Sequence, residues 1–169
     1  MELYDIWKQL DLSWQELEHE PVFTIEQARA ISDQLPGIGV KNLLLTDRKH
    51  THYFLVLLHE DKRADVKSIS QQTGVRHLTF GSAEELQQLL GLTPGSVSPF
   101  GIIHDRDNRV EVLIDHALIG QPLLLHPNTN TKTVCMHYDH LLRFIQFCAH
   151  SIQQIDCPGV SGQGSGGTP

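Results

Sequence analysis

Hydrophobic and polar positions along the chain change their spacing several times, and each change marks an element. Leu3, Ile6, Trp7 and Leu10 recur at helical intervals and predict a short first helix. Trp14 to His19 is ambiguous, because Ser13-x-x-Glu16 has the form of a capping box but the piece is short and stops at Pro21. Thr24-x-x-Gln27 caps a second helix through ARAISDQL, ended by Pro36-Gly37. Val40 to Thr46 and His52 to His59 are apolar runs of strand length around the polar DRKHT. They predict an antiparallel hairpin buried deeply enough to lose its alternation. A helix over Asp65 to Gln72 closes at Gly74, and a short strand runs from His77 to Phe80. Ser82-x-x-Glu85 caps AEELQQLL, which stops at Gly91.

Beyond the loop TPGSVSPFG, strands are expected over Gly101 to His104 and Val110 to Asp115, joined by DRDN. Leu123 to Leu125 leads into HPNTNT, Thr133 to Met136 returns as a strand, and Tyr138 to Ala149 forms the last helix. The composition of CPGVSGQGSGGTP, from Cys157 on, is that of a disordered tail. This order of elements implies an α+β fold with a mixed sheet and surrounding helices. The expected division is one domain over residues 1–155 and a flexible Gly/Ser-rich tail over 156–169.

Composition narrows the partners. The 169 residues hold 13 Lys and Arg against 20 Asp and Glu, a formal charge of -7. Broad, non-specific nucleic-acid binding needs many phosphate-neutralising cations, so any RNA contact is expected to be local. No apolar run approaches the ~20 residues of a membrane helix, and the start MELYDIWKQLDL is not a signal peptide, so a cytoplasmic protein is expected. Three cysteines without a CxxC pair argue against a disulfide framework or a structural zinc, and Cys135 and Cys148 are expected in the core.

Phosphate-loop, dinucleotide, nucleophile-elbow and HExxH signatures are absent. His137 and His140, three apart in MHYDH, share a helix face, but two imidazoles without a third ligand are weak evidence for a metal. Three polar segments remain. Lys41 and Asn42 open an apolar strand, where a lysine must meet solvent, a pocket or an anion. Gly95-Ser96-Val97-Ser98-Pro99 can present backbone groups rigidly. His126-Pro-Asn128-Thr-Asn-Thr131 is polar directly after an apolar strand. Each alone has an ordinary structural explanation as an edge lysine, a tight connection or a hairpin turn.

Taken together, Thr24 in HEPVFTIEQA, VKNLLLTD, DVKSIS, FGSAEELQQLLGLTPGSVSPFGIIHD and HPNTNT resemble the YbaK/prolyl-tRNA-synthetase editing-domain family, especially its freestanding members. The likeness spans roughly residues 14 to 150. It implies a barrel-like mixed sheet, no cofactor or metal, and hydrolysis of the ester joining an amino acid to a tRNA. It also implies a catalytic set of Lys41, Gly95 and His126, with Asn42, Thr24, Ser96, Val97, Ser98, Pro99 and Asn128 binding substrate. An aminoacyl ester is already activated, so water, orientation and oxyanion stabilisation suffice. Lys41 is expected to bind a phosphate or polarise the carbonyl, the Gly95–Pro99 backbone to hold the substrate amine and water, and the neighbouring ribose hydroxyl to carry the proton. Val97, Ile103 and Leu113 are expected to help close the pocket. The implied substrate is mischarged proline tRNA, most closely alanyl-tRNA, recognised through its acceptor end with or without prolyl-tRNA synthetase. Cysteinyl-tRNA deacylation by a sister branch and a non-catalytic binding module are the competing readings.

Overall fold

The computed structural model describes residues 2–157; the Gly/Ser-rich residues from 158 on lie outside it. Five helices, α1 (Leu3–Gln9), α2 (Ile25–Ser32), α3 (Val66–Thr73), α4 (Ala83–Leu90) and α5 (Tyr138–Phe147), surround one eight-stranded sheet. Its strands are β1 (Gln15–Glu18), β2 (Ile38–Thr46), β3 (Tyr53–His59), β4 (Thr79–Phe80), β5 (Val110–Asp115), β6 (Pro122–Leu125), β7 (Lys132–His137) and β8 (Ile152–Ile155). The order is β1-β7-β6-β2-β3-β5-β8, with β4 pairing the end of β2. Pairs β2–β6, β3–β5 and β5–β8 are parallel and the others antiparallel. The chain therefore adopts the expected α+β class with a mixed sheet. The sheet is open where a barrel-like one was expected, its path ending at β1 and β8.

Local signals placed the helices. Thr24 and Ser82 both close full capping boxes, with Gln27 and Glu85, and Gly74 and Gly91 end α3 and α4 in the left-handed conformation. Residues Phe54 to Leu58 of β3 are all at most 1% exposed, because both sheet faces are covered.

The larger core lies on the face of Leu44, Leu55, Leu57 and Val112 and receives α1, α4 and α5. Trp7 is its aromatic hub, with ring centroids 4.9 Å from Tyr4, 4.8 Å from Trp14 and 4.7 Å from Phe100. Such edge-on pairs add about 0.5–1.5 kcal/mol each beyond the area they bury. The smaller core, on the opposite face, joins Leu45, Phe54, Val56, Leu58 and Leu113 to Ile69 of α3.

Three segments are settled that the sequence left ambiguous, misassigned or did not mark. Gln15–Glu18 is a strand, paired to β7. Gly101 to His104, expected as a strand, belongs to a 3-10 helix over Pro99–His104. Pro99 begins it, the Ser98 hydroxyl accepts the Phe100 N–H, and Gly101 lies so close to Leu90 and Leu92 that a Cβ there would come within 2.6 Å. An apolar run such as FGII has no period to distinguish the two states. Strand β8 was not anticipated; its central Gln153 and Gln154 are exposed and carry no apolar pattern.

Buried polar groups pin the joints. Both ring nitrogens of His150 face acceptors, the Cys148 carbonyl at 2.9 Å and the Asp105 carboxylate at 3.0 Å. Asp105 also accepts the N–H groups of Arg109 and Val110, which fixes the turn before β5. No helix among the described residues is long and apolar enough to cross a membrane.

Candidate active site

Alternation along β2 decides what its polar residues can reach. Gly39 and Lys41 point to one face, and Asn42 to the other, toward the larger core with its partner Leu57. The first face continues through Leu124, register partner of Gly39, to His126 just beyond β6 and Thr133 on β7. Over these residues lies a cleft of about 420 Å³, bounded by Ala28, Arg29, Ile31 and Ser32 of α2, by Val22, and by Glu60 and Asp61 after β3. Helix α2 is held there at its N-terminal end. Thr24 caps it, and the Asn130 side chain grips the Val22 backbone through both N–H and C=O.

Lys41 is half-buried, and its ammonium donates to the Lys62 carbonyl. No carboxylate among the described residues lies within 4.0 Å of it. Lys62 spends its own charge on Asp115, at 3.0 Å and fully buried, and on the Cys157 carbonyl. Asp115 is further satisfied by the N–H groups of His59 and Ala117. The Lys62–Asp115 pair thus holds the carbonyl that aims Lys41. A separation of 53 residues put it beyond any local sequence signal.

The His126 Nδ1 donates to the Lys132 carbonyl at 3.1 Å, which leaves Nε2 as the acceptor in the cleft wall. Burial pushes this ring below the ordinary histidine value, and the neighbouring His19 adds to that against the Lys132 carbonyl. His19 is itself fixed between the Glu20 carbonyl and the Thr133 hydroxyl. Burial also pushes the Cys135 thiol up and that of half-buried Cys148 to about 11, so neither offers a thiolate at neutral pH.

The other expected site residues are spread more widely. Thr24 is engaged as a helix cap at the mouth of α2. Gly95 and Ser96 form an exposed to half-buried turn, Pro94–Ser96, that is not part of the cleft wall. A Cβ on Gly95 would meet nothing within 4 Å. Val97 packs on the larger core and Pro99 is buried. Ser98 is fully buried and donates to the His126 carbonyl, so this loop braces the histidine from behind. Asn128 takes a left-handed φ of 62°, with its buried Oδ1 unpartnered among the described residues, as is that of Asn42. Ile103 packs on the larger core and Leu113 in the smaller one; neither lines the cleft. Glu60 and Asp61 were missed, although HED directly after an apolar strand was a visible signal. Among the described residues no three His, Cys, Asp or Glu side chains gather to hold a metal; His137 caps α5 and His140 takes the Ser13 N–H.

A half-buried cation, a neutral imidazole and an apolar-walled cleft without a thiolate describe a site that orients and polarises a reactive substrate. The chain belongs to the aminoacyl-tRNA editing domain family, whose pattern it matches over residues 19–144. It is accordingly a hydrolase of the aminoacyl-tRNA ester. It is 35% identical over 149 residues to the prolyl-tRNA editing protein ProX of Acetoanaerobium sticklandii, covering 88% of this chain and 91% of that one. It is 29% identical over 153 residues to prolyl-tRNA synthetase associated domain-containing protein 1 of Danio rerio, covering 89% and 83%. The fold matches a solved structure described as a proposed trans-editing enzyme for prolyl tRNA synthetase, with a TM-score of 0.65 and 20% identity over 85% of this chain and 87% of that one.

Proposed function

We propose that this chain removes alanine from mischarged proline tRNA, acting in trans on the acceptor end in the cytoplasm. The observation that carries the reading is Lys41, a cation held by a backbone carbonyl, without a carboxylate partner among the described residues, and set in the cleft wall with His126. The similarity to ProX supports the choice of tRNA. An ammonium has three donors. With one directed to the Lys62 carbonyl, the others serve the ester carbonyl or the terminal phosphate. The cleft volume falls in the range that encloses a small ligand, here the amino acid and part of the terminal adenosine.

The reaction needs no protein nucleophile. Water attacks the ester carbonyl, Lys41 stabilises the oxyanion, and the tRNA ribose leaves as its alcohol, its neighbouring hydroxyl relaying the proton. His126 positions water through Nε2. The exposed Gly95–Ser96 turn meets the nucleotide end, while Ser98 and Pro99 fix the position of His126. Asn42 supports the wall from the opposite face of the sheet, and Asn128 shapes the turn that follows His126. The editing domain comprises residues 1–155 in this reading, and prolyl-tRNA synthetase is the partner that would deliver the substrate.

A synthetase pocket built for proline discriminates against a smaller side chain by only ~10–200-fold per methylene, which is why a second sieve is needed. The test is deacylation of proline tRNA charged separately with alanine, cysteine and proline, with and without Lys41→Ala. Lys41-dependent loss of alanine alone is expected. Loss of cysteine alone would replace the amino acid in the proposal, and no loss from any of the three would end it.

A further inference from the structure

Glu60 holds a carboxylate that the scheme so far leaves unused. The antiparallel register that pairs Val40 with His59 continues one step beyond β3, where the Glu60 N–H donates to the Gly39 carbonyl at 3.0 Å. Glu60 therefore stands directly opposite Gly39, on the face that carries Lys41. Its side chain folds into the space that Gly39 leaves empty. A Cβ placed on Gly39 would fall 1.2 Å from Glu60 Oε2 and 2.2 Å from its Cδ. Glycine at 39 thus leaves a volume that a Cβ would take, and what fills that volume is an acid.

That acid has no hydrogen bond from another side chain or N–H among the described residues, and no cation among them within 4.0 Å. Asp115, by contrast, is saturated by Lys62 and two N–H groups. Half-burying an unpaired carboxylate in a cleft walled by Val22, Ile31 and Leu124 costs free energy with no structural return, so a cation from outside is the natural complement. Gly39 and Lys41 are two residues apart on one strand face, about 7 Å between their Cα atoms. An aminoacyl ester has its positive ammonium one carbon away from its carbonyl. A carboxylate and an ammonium at this spacing can bind the two ends of that unit in opposite senses.

We propose that Glu60 receives the α-ammonium of the aminoacyl group and so restricts the enzyme to esters with a free amine, an inference that rests on the deacylase reading above. N-acylated aminoacyl-tRNA and peptidyl-tRNA, which have a neutral amide at that position, are then excluded. This matters for a cytoplasmic hydrolase, because it leaves chains in the course of synthesis untouched.

The experiment compares alanyl-tRNA and chemically N-acetylated alanyl-tRNA of the proline isoacceptor, using the full chain and its Glu60→Gln and Gly39→Ala variants. The wild type is expected to prefer the free amine strongly. Glu60→Gln should lower kcat/KM on alanyl-tRNA by about 10- to 100-fold, the worth of one charge-assisted hydrogen bond, and shrink the preference by a similar factor. Gly39→Ala, which displaces the carboxylate while retaining it, should shrink the preference in the same direction, with thermal melting reporting that it folds. The preference for the free amine is a readout that a purely structural role would not change. An active wild type whose preference survives Glu60→Gln would overturn the assignment of Glu60 alone. A wild type inactive on alanyl- and cysteinyl-tRNA alike would overturn the substrate reading beneath it.

Discussion

The Lys41 ammonium is oriented by the main-chain carbonyl of Lys62, and the Lys62 ammonium is neutralised by Asp115. One lysine is thereby kept free of acidic partners because a second, in the turn after β3, takes the buried acid.

Lys41→Ala should therefore remove activity with little effect on folding. Loss of a donor that stabilises a developing oxyanion costs on the order of 100-fold or more in turnover. The side chain is half-buried at the rim of the smaller core, so the melting temperature should move by only a few degrees. Lys41→Arg should rescue poorly, since a planar fork cannot replace a point charge held by one carbonyl. Single-turnover deacylation together with thermal melting checks both statements. Full activity in Lys41→Ala would remove the lysine from the mechanism.

Lys62→Met is the stability counterpart. It leaves Asp115 at 0% exposure without its cation, and breaking a buried pair from one side typically costs about 3–5 kcal/mol. Lys62→Met combined with Asp115→Asn should be less destabilised than Lys62→Met alone, because the uncompensated charge is gone. Urea midpoints of the single and double variants measure the difference. Equal stability of the two would mean that Asp115 is not held as an anion.

Legibility in the sequence followed the range of the interaction. The Thr24–Gln27 and Ser82–Glu85 boxes are complete within four residues, so α2 and α4 could be read directly. The β2–β3 hairpin was legible because LLL in one run and YFLVLL in the other are continuous apolar stretches on either side of the polar DRKHT. The 3-10 helix at Pro99–His104 was not, since its shape depends on packing against Leu90 and Leu92. That Lys41 and Asn42 face opposite ways follows from strand alternation and was available in principle. Bringing Lys41 and His126 into one cleft was not, because the parallel pairing of β2 with β6 joins segments some 85 residues apart in sequence. The resemblance supplied that association, and Glu60 and Lys62 lay outside the motifs that carry it.

Gly95→Ala separates contact with substrate from contact with protein. The added methyl meets nothing within 4 Å, so stability should stay within about 0.5 kcal/mol of wild type. Reduced deacylation at unchanged melting temperature would put Gly95 against the tRNA end. Ser98→Ala is the complementary change: it removes the donor to the His126 carbonyl inside a fully buried contact and should cost about 1–3 kcal/mol. If Gly95→Ala itself unfolds the protein more readily, the open turn described above is wrong.

The pH dependence of stability should carry the signature of His126. Its folded pKa is lowered, first by burial, from the ordinary value of 6.5. Between that lower value and 6.5 the unfolded chain binds the proton and the folded one does not, so stability rises with pH across this window. On acidification the penalty begins near 6.5, grows until the folded ring also takes its proton, and then levels off. His126→Asn keeps a donor for the Lys132 carbonyl and removes the titration. The gap in urea midpoint between wild type and His126→Asn should therefore shift against the wild type as pH falls from about 7.5 to 5.5. Contributions common to both proteins cancel in that difference. Deacylation by the wild type should meanwhile stay level through pH 6.5, because the neutral Nε2 survives below it. A midpoint gap independent of pH would show that His126 titrates at its ordinary value and that the cleft around it admits more water than its burial implies.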